Sequence, residues 1–183
     1  MSGPLELERG GVTVRLVQGD ITAQAADAIV NAANAALAPG AGVDGAIRRA
    51  GGPAITEATA RVGGCPTGEA RATTAGELDA RHVVHAVGPV WHGGDQGEDA
   101  ALEACHRAAI TLAGQLGCRS VALPAISTGI YGFPLARAAG IAVHAALEAA
   151  VAGGVVREVR FVLFRPEDLA AFAAALGAEA GRA

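Results

Sequence analysis

Two glycine-rich stretches, Gly40-Ala41-Gly42-Val43-Asp44-Gly45 and Thr128-Gly129-Ile130-Tyr131-Gly132, each follow an apolar strand-like run and lead into a helix-like one. Glycines let backbone amides approach an anion closely, and a helix N-terminus aims the positive end of its dipole at the same place. Two such turns at strand ends could clamp a pyrophosphate, so a nucleotide-like ligand is the first expectation. Asp44 puts a carboxylate into the first turn, where two readings are open. It holds or deprotonates a water, or it stabilises the start of a helix, where Asp is common.

The elements that must position these turns are legible in coarse form. Strand-like runs lie at Val12–Val17, Ala28–Asn31, Arg71–Thr74, His82–Val87, Val121–Leu123 and Arg160–Phe164. Helical candidates are Val43–Ala50, Pro53–Arg61, Glu98–Leu116, Pro134–Ala152 and Pro166–Leu176, three of them opened by a proline that the first turn tolerates. Alternating strands and helices argue for a sheet covered on both faces, and the consecutive strands within Arg71–Val87 make that sheet mixed. The N-terminal arm to about Gly11 and the tail after Leu176 read as weakly tied down.

Composition sets the class. A chain of 183 residues with 51% apolar content supports one well-formed core, whereas two domains would be cramped. The net charge is −4 and all 14 basic residues are arginines scattered along the chain, so nucleic-acid binding by counterion release is disfavoured. The absence of lysine removes a Walker-type phosphate lysine, a Schiff base and a lysine nucleophile. Cys65, Cys105 and Cys118 form no Cys-x-x-Cys pair and fit buried thiols in a reducing compartment. The first residues lack a signal-peptide pattern, so a cytoplasmic protein is expected. The apolar stretch Ala138–Val156 carries His144, Glu148 and a Gly-Gly pair, and reads as a packed helix rather than a membrane span.

Several chemistries lack parts. Gly40 to Gly45 matches G-x-G-x-x-G, but Asn31-Ala32-Ala33-Asn34 and a segment to Pro39 separate it from its strand, and the acidic residue of a dinucleotide site would fall in a turn near Cys65 to Glu69. Ser127 is not in a G-x-S-x-G elbow. His82 and His85 point to opposite faces of a strand, and Cys105-His106 diverge on a helix, so neither pair suggests a metal site. A two-carboxylate glycosidase site is also hard to assemble, since Asp44 is the only carboxylate in the glycine turns. No metal and no cofactor are expected.

Asp27-Ala28-Ile29-Val30-Asn31-Ala32-Ala33-Asn34, followed by Gly42-Val43-Asp44-Gly45-Ala46-Ile47, resembles the macrodomain family and within it the MacroD-type hydrolases. Gly19-Asp20-Ile21-Thr22 precedes these motifs in the family's order. Gly64-Cys65-Pro66-Thr67-Gly68, Val84-His85-Ala86-Val87-Gly88-Pro89-Val90-Trp91 and Pro124-Ala125-Ile126-Ser127-Thr128-Gly129-Ile130-Tyr131-Gly132-Phe133-Pro134 follow in the same order. The matches run from about Val12 to Phe164, and several motifs in one order are far more specific than one.

The resemblance implies a single macrodomain over 1–183, a three-layer α/β/α sandwich around a mixed sheet, with an ADP-ribose cleft at the strand ends. Asp20 would accept from the adenine amino group with the Ile21 amide beside it; its other reading is an N-cap for the turn at Ile21–Gln24. Asn34 would face the distal ribose, or simply form its turn. Asn31 is taken as mainly a backbone organiser. Gly42, Val43, Gly45 and Ala46 would form the first diphosphate loop, and Ser127, Thr128, Gly129, Ile130, Tyr131 and Gly132 the second, with Tyr131 over the distal ribose. Phe164 either flanks adenine or belongs to the core.

The activity implied is hydrolysis of ADP-ribosyl esters by water, with Asp44 and Asn34 as the catalytic candidates. Within the family the bound phosphate can instead hold the water while Asp44 orients the ribose. Mono-ADP-ribosylated Asp or Glu side chains and O-acetyl-ADP-ribose are the expected substrates, handled by a monomer without membrane or nucleic-acid partners. The alternatives are a non-catalytic ADP-ribose reader and an ADP-ribose 1″-phosphate phosphatase. Two departures from the family pattern matter. Its run of four glycines is Pro39-Gly40-Ala41-Gly42 here, and the histidine four residues after the aspartate is Arg48, one turn on and on the same helix face. A guanidinium there favours the charged carboxylate and weakens it as a base, which leaves binding intact and bears on the rate.

Overall fold

The computed structural model describes residues 3–182; the parts of the terminal expectations that fall on Met1, Ser2 and Ala183 lie outside the described residues. Among the described residues seven strands, β1 (Glu6–Arg9), β2 (Val12–Gln18), β3 (Ala28–Ala32), β4 (Ala70–Thr74), β5 (His82–Ala86), β6 (Ser120–Leu123) and β7 (Glu158–Leu163), form one sheet in the order β1-β2-β7-β6-β3-β5-β4. The five inner strands run parallel and the edge strands β1 and β4 run antiparallel, which makes the sheet mixed as expected.

Among the described residues five α-helices cover it: α1 (Gly42–Gly51), α2 (Pro53–Val62), α3 (Glu98–Gln115), α4 (Leu135–Gly153) and α5 (Pro166–Ala180). Period-two alternation sends Val30, Val84, Leu123 and Phe161 into a core under α3, α4 and α5, and sends Ile29, Val83, Ala122 and Val162 into a smaller one under α1 and α2. The result is an α/β/α sandwich. Pro53 and Pro166 stand in the first turns of their helices, whereas Pro134 caps α4 from just outside it. α4 is long and apolar enough to cross a membrane, and half of its most apolar stretch is buried between α3, α5 and the sheet.

Both ends are better tied than the sequence suggests. Residues of the arm before Gly11 form β1, paired with β2, and α5 continues past Leu176 to Ala180. Glu-Leu-Glu-Arg is too charged to stand out as a strand, and it is its pairing that makes it one. The two ends hold each other: Arg9 donates from Nη1 to the buried Glu179 carboxylate and from Nη2 to the Glu179 carbonyl, both at 2.7 Å, and His144 Nδ1 lies 3.1 Å from Glu179 Oε2. His144, Glu148 and Glu179 bring ligand-type atoms within 4.8 Å of one another, and a cation there would share the Glu179 carboxylate with Arg9.

The parallel order positions the site. β3 and β6 are neighbours, yet the chain leaves β3 for α1 on one face and leaves β6 for α4 on the other. Such a divergence opens a crevice beyond the carboxyl ends of the strands, where ligands of α/β proteins bind.

Candidate functional site

A cleft of about 670 Å³ lies at that point. Its walls are the end of β3 and the residues after it (Ala32–Asn34), the turn into α1 with its first residues (Gly40–Asp44), Gly88 beyond β5, the turn after β6 (Ala125–Tyr131) and the end of β7 with the start of α5 (Val162–Arg165, Asp168). Its size suits a ligand of nucleotide dimensions. The cleft joins Asn34, Gly42, Val43, Asp44, Ser127, Thr128, Gly129, Ile130, Tyr131 and Phe164, all expected from the sequence. Asp20, Ile21, Gly45, Ala46 and Gly132 are not among its wall residues.

The first turn ends in Ala41, which makes no side-chain cap bond to α1. The amides of Gly42, Val43 and Asp44 in its opening turn therefore have no intrahelical acceptor and lie at the cleft. The second turn offers the same chemistry. No backbone carbonyl among the described residues accepts from Thr128, Gly129, Ile130 or Tyr131, while Gly132 and Phe133 donate back to Gly129 and Ser127 and close the loop. Ser127 sits at φ 67°, a strained conformation for a residue with a Cβ, and its buried hydroxyl has no partner among the described residues. The Trp91 amide donates to the Tyr131 carbonyl at 2.8 Å, and the Trp91 ring packs on Phe133 with centroids 4.7 Å apart, which anchors the turn from behind.

Asp44 is buried at 4% exposure on the face of α1 that also carries Ile47, Arg48 and Gly51. Its Oδ2 accepts from the Gly40 amide at 2.7 Å and from Arg48 Nε at 2.9 Å, and its Oδ1 accepts from Asn31 Nδ2 at 2.6 Å. Each carboxylate oxygen can accept two bonds, so Oδ1 keeps one position open. Arg48 lies on the same helix face, as the spacing implied, and its guanidinium reaches farther. Nη1 donates to Thr56 and Thr59, and Nη2 to the Leu37 carbonyl, each at 3.0 Å, tying α1 to α2 and to the segment after β3.

Asn31 corrects the sequence reading. It is fully buried and serves as more than a backbone organiser, because its amide nitrogen bridges Asp44 Oδ1 and His85 Nδ1, the latter at 3.1 Å. The signal was an asparagine inside an apolar strand, where alternation places it with Ile29 on the α1 face. Arg165 and Asp168, paired at 2.8 Å across the first turn of α5, were also not anticipated in the cleft wall. Asn34 closes its own turn, donating to the Ala38 carbonyl at 2.9 Å and accepting from the Ala38 amide at 3.0 Å, yet it still lines the cleft.

At the far end, the Asp20 side chain takes the N-cap reading: Oδ1 accepts from the Thr22 amide and hydroxyl at 2.8 and 2.7 Å. Its Oδ2 has no bond to the described residues. The Gly19 amide donates to the Leu163 carbonyl, so Asp20 and Phe164 leave neighbouring strands side by side. Ile21 is buried. Phe164 is 76% exposed, which rules out the core role considered for it. Gly45 serves packing, since a Cβ there would stand 2.9 Å from the Gly40 carbonyl.

His85 and His106 are both fully buried, and burial pushes each imidazole down to about 4 from the usual 6.5. Near His85 the Arg48 charge adds to this and Asp44 opposes it; near His106 the Leu102 carbonyl opposes it. The unfolded chain takes up these protons below about 6.5 and the folded one only below about 4, so stability falls as pH falls through that window. Each histidine accounts for about 3 kcal/mol. Urea midpoints measured between pH 7.5 and 4 are expected to decline, and His106→Gln is expected to flatten the decline; an unchanged slope would contradict this.

The family model for the macro domain matches residues 30–142. A macro domain-containing protein of Cupriavidus necator is 54% identical over 86% of this chain and 94% of its own length, and one of Chlorobaculum tepidum is 47% identical over 91% and 97%. Among solved structures, an Oceanobacillus iheyensis macrodomain with ADP superposes with a TM-score of 0.91, 33% identity and 97% coverage of both chains. A Trypanosoma brucei macrodomain in complex with ADP-ribose gives 0.83 and 37%, over 90% of this chain and 69% of that one. By the family model over more than half of its length, by its identity to these relatives and by its superposition on these structures alike, this chain belongs to the macro domain family.

Proposed function

We propose that this chain binds ADP-ribose in the cleft and hydrolyses its esters, removing mono-ADP-ribose from Asp or Glu side chains and deacetylating O-acetyl-ADP-ribose. The observation that carries the reading is Asp44: a buried carboxylate in the cleft wall, flanked by free helix-terminal amides, with one Oδ1 acceptor position unfilled. The amides of Gly42 to Asp44 and Thr128 to Tyr131 receive the diphosphate. Asn34 and Tyr131 meet the distal ribose, and Phe164 and Asp20 the adenine. Asp44 Oδ1 accepts from a water, which adds across the ester so that its hydroxyl ends on one fragment and its hydrogen on the other.

The relatives with bound ADP and ADP-ribose support the ligand. A reader without turnover is the competing reading, favoured by the three bonds that already occupy the Asp44 carboxylate. The deciding experiment follows ADP-ribose release from a protein carrying ester-linked mono-ADP-ribose in metal-free buffer, with inorganic phosphate release from ADP-ribose 1″-phosphate measured in parallel. Binding without release supports the reader, and phosphate as the main product supports the phosphatase.

The second turn offers a test of binding. A Cβ on Gly88 would stand 2.6 Å from Ile126 Cγ2 and closer still to the Ser127 hydroxyl, pushing a residue already strained. Gly88→Ala is expected to raise the ADP-ribose Kd at least tenfold, about 1.4 kcal/mol, by calorimetric titration. An unchanged Kd would remove the second turn from the binding site.

A further inference from the structure

The buried polar groups behind Asp44 form one chain whose hydrogens can be assigned from the carboxylate outward. Asp44 Oδ1 only accepts, so the Asn31 atom 2.6 Å away is the amide nitrogen, and the opposite flip would set oxygen against oxygen. The nitrogen's second hydrogen faces His85 Nδ1 at 3.1 Å, so Nδ1 must be bare. In a neutral ring the hydrogen is then on Nε2, which lies 2.9 Å from Thr73 Oγ1. The Thr73 hydroxyl accepts it and sends its own hydrogen to the Thr74 carbonyl at 3.0 Å.

The sheet builds this chain. Asn31 and His85 are register partners across β3 and β5, Thr73 pairs with Val83 next along, and alternation turns all three side chains to the α1 face. Asn31, His85 and Thr73 are at most 8% exposed, so no solvent competes for these hydrogens.

We propose that His85 is a positioning residue for Asp44: held as the Nε2–H tautomer by Thr73, it accepts from Asn31 and so fixes the Asn31 amide that holds Asp44 Oδ1, leaving the open Oδ1 position to the cleft. A hydrogen on Nδ1 would oppose the Asn31 amide donor to donor and turn the amide away from Asp44. The tautomer assignment stands on the geometry alone; the consequence for turnover rests on the ester-hydrolysis reading above.

Two measurements test it separately. Nitrogen NMR of the unaltered protein is expected to find His85 Nδ1 bare and Nε2 protonated from pH 8 to 5; an Nδ1–H tautomer, or an imidazolium within that range, would overturn the proposal. The second compares His85→Leu, which cannot accept from Asn31, with His85→Gln, whose carbonyl can accept while its amide donates to Thr73. In the leucine variant kcat for ester hydrolysis is expected to fall about 10- to 100-fold, the scale of a small misplacement of a reacting group, with KM and ADP-ribose Kd nearly unchanged. Glutamine is expected to restore most of it. Unchanged kcat in the leucine variant, equal loss in both, or a rise in KM alone would each overturn the positioning role. If the parent releases no ADP-ribose, the hydrolase reading fails by itself, and the Asn31 side-chain amide protons decide the chain. They should exchange slowly in the parent and glutamine variant and fast in the leucine variant, and equal exchange in all three would sink it.

Discussion

Asp44→Ala is expected to lower ester turnover by about 10²- to 10⁴-fold, the range in which a positioned acid or base contributes, when ADP-ribose release is followed without metal. The same change also strikes the fold. It strands the Arg48 guanidinium, 8% exposed, and leaves Asn31 Nδ2 and the Gly40 amide without their acceptor. Breaking a buried pair by removing one partner costs about 3–5 kcal/mol, a large share of the 5–15 kcal/mol or so by which domains are stable. Asparagine offers no neutral substitute, because Asp44 accepts at both oxygens and either flip of an amide would put a donor against a donor. The separating variant is Asp44→Ala with Arg48→Met, which removes the stranded charge. It is expected to regain part of the lost thermal stability and none of the turnover. Turnover returning with stability would mean that Asp44 serves the fold, and release undiminished in folded Asp44→Ala would move catalysis to a water held by the ligand's own phosphate.

Much of this arrangement was legible because it depends on local rules. Apolar strand-like runs marked six of the seven strands, and the five helical candidates, three of them opened by proline, fell within a few residues of the observed helices at most ends. β1 was not, since its charges hide a strand that pairing with β2 creates, and the end of α5 was not, because what holds Glu179 is Arg9 from the far end of the chain. The two glycine turns carry their chemistry in sequence, but which amides face a cleft is a matter of three dimensions: Gly45 packs on the Gly40 carbonyl while Val43 lines the wall. Arg48 was readable from four-residue spacing within one helix. The Asn31–His85 link was not, because it joins residues 54 apart in the chain through the register of two parallel strands.

Arg48→His tests the departure that most distinguishes this site. Arg48 is absent from the cleft wall, so ADP-ribose affinity is expected to stay within about threefold, less than 0.7 kcal/mol or so. Turnover should not stay put. Arginine gives Asp44 a partner charged at every working pH, whereas an imidazole titrates near 6.5 in the ordinary case and can be neutral. The variant should acquire a step in turnover across the imidazole range, faster on its alkaline side where the carboxylate loses its cationic partner, and the parent should have no such step. Stability is expected to fall as well, by about 1–3 kcal/mol, because a ring one turn along α1 cannot also reach Thr56, Thr59 and the Leu37 carbonyl. Calorimetry, a pH–rate profile and a thermal melt on one preparation separate these effects. A tenfold loss of affinity with the parent's turnover and pH profile intact would make Arg48 a ligand-binding residue and not the partner that tunes Asp44.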